Sequence, residues 1–210
     1  MYSSFLFGAF SLLTQIYALK ELSGILTGHE ASLGLGLSAW LLWTAAGMSL
    51  AFKTRIARNN YGSSAFPAAC LILSTTAALN LLLLRKAGLL MTPGLSPGLL
   101  QLILFSFLIP LPAAIANGAA LALGLSTRRL AFYRAEAAGA AGAGLLTLAH
   151  AAYFPWVDPL LLCGATAAAL LLSVAAKTGP KIVRALPAAF VSLLFAGGMS
   201  IVPPFALPSS

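Results

Sequence analysis

The sequence predicts an all-α integral membrane protein, a bundle of about seven transmembrane helices, from its composition, the length of its apolar runs and the placement of its basic residues. Sixty per cent of the residues are hydrophobic, 8% are charged, and the mean hydropathy is +0.96. A soluble domain usually has about 25% charged residues. A helix needs roughly 20 apolar residues to cross ~30 Å of hydrocarbon. Lipid is therefore the expected solvent of this chain.

Seven apolar runs, separated by charged residues, predict the spans of a single polytopic domain that covers residues 1–210. They lie at about 5–19, 31–52, 65–84, 99–125, 137–157, 159–176 and 185–202. Transmembrane strands would be about half as long and would alternate in polarity, so each run is predicted to be a helix. Pro110 and Pro112 lie inside the fourth span, where each removes a backbone donor, and they predict a kink.

Small and polar residues form a stripe along the first span. Ser4, Gly8, Ser11 and Gln15 are spaced 4, 3 and 4 residues apart, so they share one helix face. Because lipid-facing positions are expected to be aliphatic, this face is predicted to contact protein.

Three later spans carry similar stripes. They consist of Gly34, Ser38, Leu41, Ala45 and Ser49 in the second span, Ser106, Pro110, Ala113, Asn117, Ala120 and Gly124 in the fourth, and Glu136, Gly139, Ala143, Thr147 and His150 in the fifth. Glycines allow helix backbones to approach closely in lipid. We therefore expect the first and fifth helices to pack together, with Gly8, Gly139, Gly142 and Gly144 as packing residues.

Three amide side chains within the predicted spans, Gln15, Asn80 and Asn117, have two interpretations. They can make interhelical hydrogen bonds worth about 0.6 to 2 kcal/mol each, or they can mark a substrate path through the membrane. We favour the structural interpretation, because polar contacts that only hold helices together are commoner. Cys70 and Cys163 lie in the middle of different spans, where apolar packing is favoured over a disulfide or a metal site.

The basic residues predict the orientation, because Lys and Arg in short loops stay in the cytoplasm. Nine lie on one side, namely Lys53, Arg55, Arg58, Arg128, Arg129, Arg134, Lys177, Lys181 and Arg184, and three on the other, Lys20, Arg85 and Lys86. This predicts a multi-pass protein of a bacterial-type cytoplasmic (inner) membrane, with the N-terminus inside and the C-terminus outside. The net charge of +8 favours anionic headgroups over nucleic acid as a partner, because the basic residues are divided among short loops.

Ionisable residues near the predicted outer surface form the first candidate cluster, which consists of Glu21, His29, Glu30, His150 and Asp158. His150 is about five residues, or ~7.5 Å, below that surface. One hypothesis makes Glu30 and His150 a proton or quinol relay, and another makes His29 and His150 axial haem ligands.

A structural interpretation of the same residues stays open. Glu30 then caps a helix or pairs with Lys20, and His150 binds a neighbouring carbonyl group. On the inner side, Glu136 is expected to pair with Arg134 or Arg129 and so to anchor the fifth helix. No CxxCH, GxGxxG, Walker or HExxH motif occurs in the sequence, so no catalytic residue, metal site or cofactor is predicted.

Two separated patterns carry a family resemblance. The first comprises Gln15, Lys20-Glu21, Gly28-His29-Glu30, Trp40 and Gly47, and the second comprises Tyr133, Glu136, Gly139, Gly142, Ala143 and Gly144. Over about residues 4–175 the chain resembles the membrane region of spermidine synthase-like polytopic proteins. Members of that family often carry an aminopropyltransferase-like domain whose Gly-rich loop and acidic residues do not occur in this sequence. The resemblance therefore implies the membrane region and not the synthase activity.

The membrane region also looks like half of a major-facilitator-type transporter. The basic loop 53–58 takes the position of a charged motif in that superfamily, but the acidic residue of the motif is missing. The favoured function is a non-catalytic membrane subunit that anchors or docks a partner enzyme or electron-transfer complex. The alternative is a small-molecule transporter that works as a half-unit dimer. The expected partners are the lipid bilayer and other membrane or membrane-associated subunits, or a second copy of the chain.

Overall fold

The computed structural model describes residues 2–26, 30–54, 62–90 and 98–176. Within these ranges the chain forms six helices: α1 (Tyr2–Ile25), α2 (Glu30–Lys53), α3 (Gly62–Leu90), α4 (Leu99–Leu108), α5 (Leu111–Tyr153) and α6 (Pro159–Ala175). The described residues contain no strand, which confirms the all-α class. The predicted seventh span, 185–202, lies outside them, as does His29.

Four stretches are long and apolar enough to cross a membrane. They are Tyr2–Ile25, Glu30–Lys53, Ala65–Ala87 and Leu100–Ser126, and α6 is a shorter apolar helix. These stretches fit a membrane protein, whereas the count of seven spans is not confirmed.

The fourth predicted span is interrupted where the two prolines predict a kink. Helix α4 ends at Leu108, and α5 begins at Leu111 with Pro110 as its N-terminal flanking residue. Pro112 lies in the first turn of α5, where a missing amide donor costs little because that N–H has no intrahelical partner. Just before this break, the carbonyl of Phe107 in α4 accepts a hydrogen bond from the indole N–H of Trp43 in α2 at 2.9 Å.

The segment between the predicted fourth and fifth spans was expected to be a loop, and this expectation is wrong. Residues 126–136 are helical and belong to α5. The segment contains Leu, Ala, Arg and Glu, which are good helix formers, and neither Gly nor Pro, so nothing in it ends a helix.

Helix α5 nevertheless reverses its direction. Pro110 lines a small cavity with Ala18 and Leu22, while His150 contacts Tyr17. In a straight helix, Pro110 and His150 would be about 60 Å apart, yet both lie beside the same short stretch of α1. The bend is near Gly124, since an added Cβ there would meet the ring of Phe132. We call residues 111–124 the first arm of α5 and residues 132–153 the second arm.

The main core lies between α1, α3, α6 and α5. It includes Phe7, Phe10, Leu13, Leu73, Leu81 and Leu170, all of them almost fully buried. The rings of Phe7, Phe66 and Phe132 form a cluster with centroids 5.6 to 5.9 Å apart. Trp40 packs with Ala113 and Ala114 in a smaller second cluster, against which Trp43 also lies.

Two pairs of glycines bring helix backbones into close contact. A Cβ added at Gly8 would overlap the backbone of Glu136, and one added at Gly139 would overlap the carbonyl group of Phe5. Gly142 and Gly144 lie on the same arm with more space, because an added Cβ would be 3.5 Å and 3.9 Å from the nearest side-chain atoms. Helix α1 therefore packs directly on the second arm of α5.

The second pair joins α2 to the first arm. A Cβ at Gly47 would overlap the backbone of Ile115, and one at Gly118 would overlap the carbonyl group of Thr44. The two helices of each pair run parallel: Tyr17 contacts His150 further along α1 and the second arm, and Trp40 lies beside Pro110 and Ala113.

Candidate functional site

Arg85 joins three parts of the bundle through charged hydrogen bonds. Its Nη1 and Nη2 donate to Oδ2 and Oδ1 of Asp158 at 2.9 and 2.7 Å, and its Nε and Nη2 both donate to Oε1 of Glu21 at 3.2 Å. The side chain of Arg85 is 11% exposed, whereas those of Glu21 and Asp158 are 29% and 28% exposed. Planar, two-pronged contact of this kind fixes geometry as well as charge. The three side chains thus tie α1, α3 and the start of α6 together.

Asp158 also begins α6. Its Oδ1 accepts a hydrogen bond from the backbone N–H of Leu160 at 2.9 Å, and Pro159 follows it as the first helical residue. Asp and Pro at these positions are the ordinary start of a helix. Burial raises the pKa of the Asp158 carboxyl, but the hydrogen bonds from Arg85 and Leu160 outweigh it, so this pKa lies below its ordinary value. The carboxylate is therefore held in its charged form.

His150 lies next to these ion pairs and uses both ring nitrogens. Nε2 is 2.8 Å from the carbonyl oxygen of Val157, and Nδ1 is 3.2 Å from the hydroxyl of Tyr17. Because a carbonyl only accepts, Nε2 carries a proton. In the neutral ring, Nδ1 must then accept the hydroxyl proton of Tyr17. His150 is 5% exposed, and we call it, with Tyr17, Glu21, Arg85 and Asp158, the outer cluster.

The structure brings together part of the predicted outer group. Glu21, His150 and Asp158 lie in the outer cluster, whereas Glu30 is an exposed residue at the start of α2. The described side chains include no ion pair between Glu30 and Lys20, which is also exposed. Val157 supplies the kind of neighbouring carbonyl group that the structural interpretation of His150 expects. Both ring nitrogens of His150 are within hydrogen-bonding distance of other groups, so neither is available to bind a haem iron in this arrangement.

Two members of the outer cluster were not among the predicted site residues. Arg85 contributed only to the prediction of the orientation, although it lies close to the predicted outer end of its span, as Glu21 and Asp158 do. That shared depth is the signal that could have identified it. Tyr17 offered no such signal, because it is 133 residues from His150 in the sequence.

On the predicted inner side, Glu136 does not form the expected pair with Arg134 or Arg129. Glu136 is half-buried, Arg129 and Arg134 are exposed, and the described side chains include no ion pair between them. The continuity of α5 explains this. Arg134 and Glu136 both belong to the second arm, and residues two apart in a helix lie on different faces.

Several buried polar side chains have no hydrogen-bond partner among the described residues. They are the amide of Asn80, the carbonyl oxygen of the Asn117 amide, and the hydroxyls of Thr14, Thr44 and Ser106. Asn80 is 2% exposed, so the predicted interhelical hydrogen bond of this residue is not formed. Gln15 is half-buried.

Within the described part of the chain, no three His, Cys, Asp or Glu side chains are grouped so that they could hold a metal ion. Cys70 and Cys163 are both buried and unpaired. The outer cluster contains three charged groups and one imidazole, all held in place by hydrogen bonds. No family model, curated protein or solved structure matches this chain.

Proposed function

We propose that this chain is a non-catalytic integral membrane subunit that anchors or docks a partner enzyme or electron-transfer complex. The observation that carries the proposal is the outward face of α2. Its stripe of Gly34, Ser38, Leu41, Ala45 and Ser49 is exposed along its whole length. A Cβ added at Gly34 would meet no atom within 4 Å.

Four of the five residues of this stripe are small, and exposed leucines, Leu33, Leu37, Leu42 and Leu50, flank it on α2. Helix α4 exposes Leu100, Ile103, Leu104 and Leu108, which suit lipid tails. In lipid, helices associate through close backbone packing, and small residues mark the positions where they touch. Only 28% of the apolar stretch of α2 is buried, compared with 50% for α1. The small face of α2 therefore suits contact with another protein.

The second arm of α5 presents a similar outer surface. Ala137, Ala138 and Ala141 are exposed there, on the side away from the contact of Gly139 with α1. The charged groups of the outer cluster are engaged with one another, which suits a structural role. The resemblance to spermidine synthase-like membrane regions also supports an anchoring function, because that region accompanies an enzymatic domain in the family.

Site-specific cross-linking tests the proposal directly. A photoreactive amino acid is placed at Gly34 in one variant and at Leu104, on the aliphatic face of α4, in the matched control. We expect a cross-linked product with a different protein from position 34 in native membranes, and none from position 104. Gly34→Leu should reduce recovery of that partner at least about tenfold, since 1.4 kcal/mol of lost binding already corresponds to this factor. Equal cross-linking from both positions would contradict docking through α2.

A second candidate, a small-molecule transporter that works as a half-unit dimer, is favoured by the unpartnered interior side chains. Asn80, Ser106 and Thr14 have unused hydrogen-bonding capacity, and α4 and α5 are broken at Pro110. Polar groups in the membrane interior and broken helices both occur at transport sites. A cross-linked product from Gly34 with twice the mass of the chain would support this candidate instead.

The proposed function includes the orientation of the chain in the membrane. The excess of basic residues in the loops that hold Lys53 and Arg134 supports an inner-membrane protein with its N-terminus in the cytoplasm. In this orientation the outer cluster lies near the opposite surface. The likeness to half of a major-facilitator-type fold supports the transporter candidate alone.

A further inference from the structure

The acidic side chains of this protein do not balance its basic ones where α5 bends. The sequence has 12 Lys and Arg residues but four Asp and Glu residues, which are Glu21, Glu30, Glu136 and Asp158. Glu21 and Asp158 bind Arg85, and Glu30 begins α2 at the opposite end of the bundle. Glu136 forms no ion pair with a described side chain. The counter-charge for the bend must therefore come from the surroundings.

Two cations lie in and directly after this bend. The side chains of Arg129 and Arg134 are both exposed, and neither forms an ion pair with another described residue. Between them, the ring of Phe132 packs on aromatic rings from the beginning of α1 and of α3. This contact fixes the position of the segment at one end of the bundle. We call residues 129–134, which are helical throughout, the basic turn.

The basic turn also exposes two large apolar side chains. Leu130 is 62% exposed and Tyr133 is 59% exposed. Residues four apart are neighbours on a helix surface, so Arg129 lies beside Tyr133, and Leu130 lies beside Arg134. The two arginines thus flank a leucine and a tyrosine on one exposed face. Such a face suits the boundary between lipid headgroups and acyl chains better than water alone.

The position of Tyr133 along the second arm of α5 matches one surface of a bilayer. Tyr153, near the other end of this arm, is 69% exposed. The two tyrosines are 20 residues apart in the sequence, which is ~30 Å along a helix. The hydrocarbon layer is also ~30 Å thick, and tyrosines are enriched at both membrane–water interfaces. An arm that spans this layer therefore holds the basic turn at the depth of the headgroups.

We propose that the basic turn binds anionic phospholipids. Arg129 and Arg134 contact the phosphate oxygens, and Leu130 and Tyr133 enter the boundary between headgroups and acyl chains. A guanidinium group suits a phosphate because it presents two parallel N–H donors. The apolar side chains favour a phospholipid over a free phosphate ion, which would leave them uncovered. This inference rests on the membrane location in the proposed function, and it does not depend on docking through α2.

Native mass spectrometry of the full chain in detergent counts bound lipids and gives their affinities. The probes are phosphatidylglycerol, which is anionic, and phosphatidylcholine with the same acyl chains, which has no net charge. We expect the wild type to prefer phosphatidylglycerol. Replacing both arginines, Arg129→Gln with Arg134→Gln, should weaken phosphatidylglycerol binding roughly thirtyfold and leave phosphatidylcholine binding unchanged. An unchanged affinity for phosphatidylglycerol would overturn the proposal.

The matched control removes the same charge from the opposite end of the bundle. Lys20→Gln with Lys86→Gln replaces two exposed cations there, and phosphatidylglycerol binding should persist. An equal loss in both double variants would overturn the site, because attraction to the net charge would then explain the binding. Displacement of the lipid by inorganic phosphate would also overturn it and would assign the arginines to a soluble anion.

Thermal unfolding in nanodiscs separates binding from folding. Because both arginines are exposed and unpaired, their double variant should unfold at the wild-type temperature in phosphatidylcholine. Phosphatidylglycerol should stabilise the wild type and not the variant, and equal stabilisation would contradict the proposal. Arg134→Gln alone, with a roughly fivefold loss of affinity, carries the test if the double variant does not fold. A wild type that binds both lipids equally refutes the lipid site alone, whereas one that binds neither refutes the membrane location as well.

Discussion

Two close helix contacts are formed by glycines: α1 with the second arm of α5, which we call the first crossing, and α2 with the first arm, which we call the second crossing. Their local geometry is the same, but different residues join the helices beyond them. Gly8 meets Glu136, three residues before Gly139, just as Gly47 meets Ile115, three residues before Gly118. Further along the first crossing, α1 and the second arm of α5 are joined by the outer cluster. Further along the second, tryptophan packing joins α2 to the first arm, and one indole hydrogen bond joins α2 to α4.

This difference shows that glycines set the distance between helices, whereas other residues determine how firmly they are joined. Beyond the first crossing, charged groups from α1, α3 and the start of α6 meet, so displacing one of these helices leaves charges unpaired. At the second crossing, α2 is largely exposed, and its attachment to the bundle depends mainly on the packing of side chains. We therefore expect α1 to be an integral part of the bundle and α2 to be its most easily displaced helix.

The largest effect is expected from leucine at the first crossing. Gly139→Leu forces the side chain into the backbone of Phe5 and should cost at least about 3 kcal/mol of unfolding free energy. Gly118→Leu should cost less, because α2 alone moves away. Thermal unfolding in detergent measures both.

Two variants serve as controls for this prediction. Gly142→Ala should be tolerated, since its Cβ would be at an ordinary contact distance of 3.5 Å from the Phe5 ring. Leu145→Ile keeps the volume of a side chain that is 70% exposed. If Gly139→Leu is as stable as the wild type, the crossing does not hold α1 to α5.

A smaller effect is expected when the cation of the outer cluster is removed. Arg85→Gln leaves Glu21 and Asp158 without their partner and should destabilise the protein by about 2 to 4 kcal/mol, since breaking a largely buried pair leaves uncompensated charge. Lys86→Gln is the matched control, because Lys86 is the next residue and is exposed. Denaturant titration compares the two, and equal losses would show that the ion pairs contribute nothing specific.

The smallest effect concerns the second crossing. Trp43→Phe keeps most of the aromatic packing but removes the N–H that bonds to Phe107, which should cost about 1 kcal/mol. Trp156→Phe serves as a reference, because Trp156 is 76% exposed and its indole N–H has access to water. A similar shift in melting temperature for both variants would mean that the indole hydrogen bond does not hold α2 to α4.

The apolar runs predicted most of the helices, because the thickness of the hydrocarbon layer requires apolar runs of roughly 20 residues. The predicted runs 31–52 and 159–176 nearly coincide with Glu30–Lys53 and Pro159–Ala175. The sequence could not predict that α5 would continue through residues 126–136, because charge marks a break between apolar runs without ending a helix. Helix ends depend on Gly, Pro and capping groups, which this segment lacks.

The outer cluster was predictable only where charge and depth coincide. Glu21 and Asp158 belong to it because both lie at the predicted outer ends of spans. The contact of Tyr17 with His150 depends on the relative rotation of two helices, which no spacing within one helix determines. The unpartnered amide of Asn80 is likewise a property of packing and not of sequence.

The corner between α5 and α6 also has a consequence for the order of assembly. His150 bonds Val157 only seven residues away, so this corner can close as soon as the two residues have been synthesised. The bond from His150 to Tyr17 spans 133 residues and must wait until the second arm of α5 emerges. Helix α1 is made first, so Glu21 waits for Arg85 in α3, 64 residues later, and Tyr17 waits for His150 near the end of α5. Helix α1 is therefore complete before any partner of Tyr17 or Glu21 has been synthesised, and α3 and then α5 supply those partners in turn.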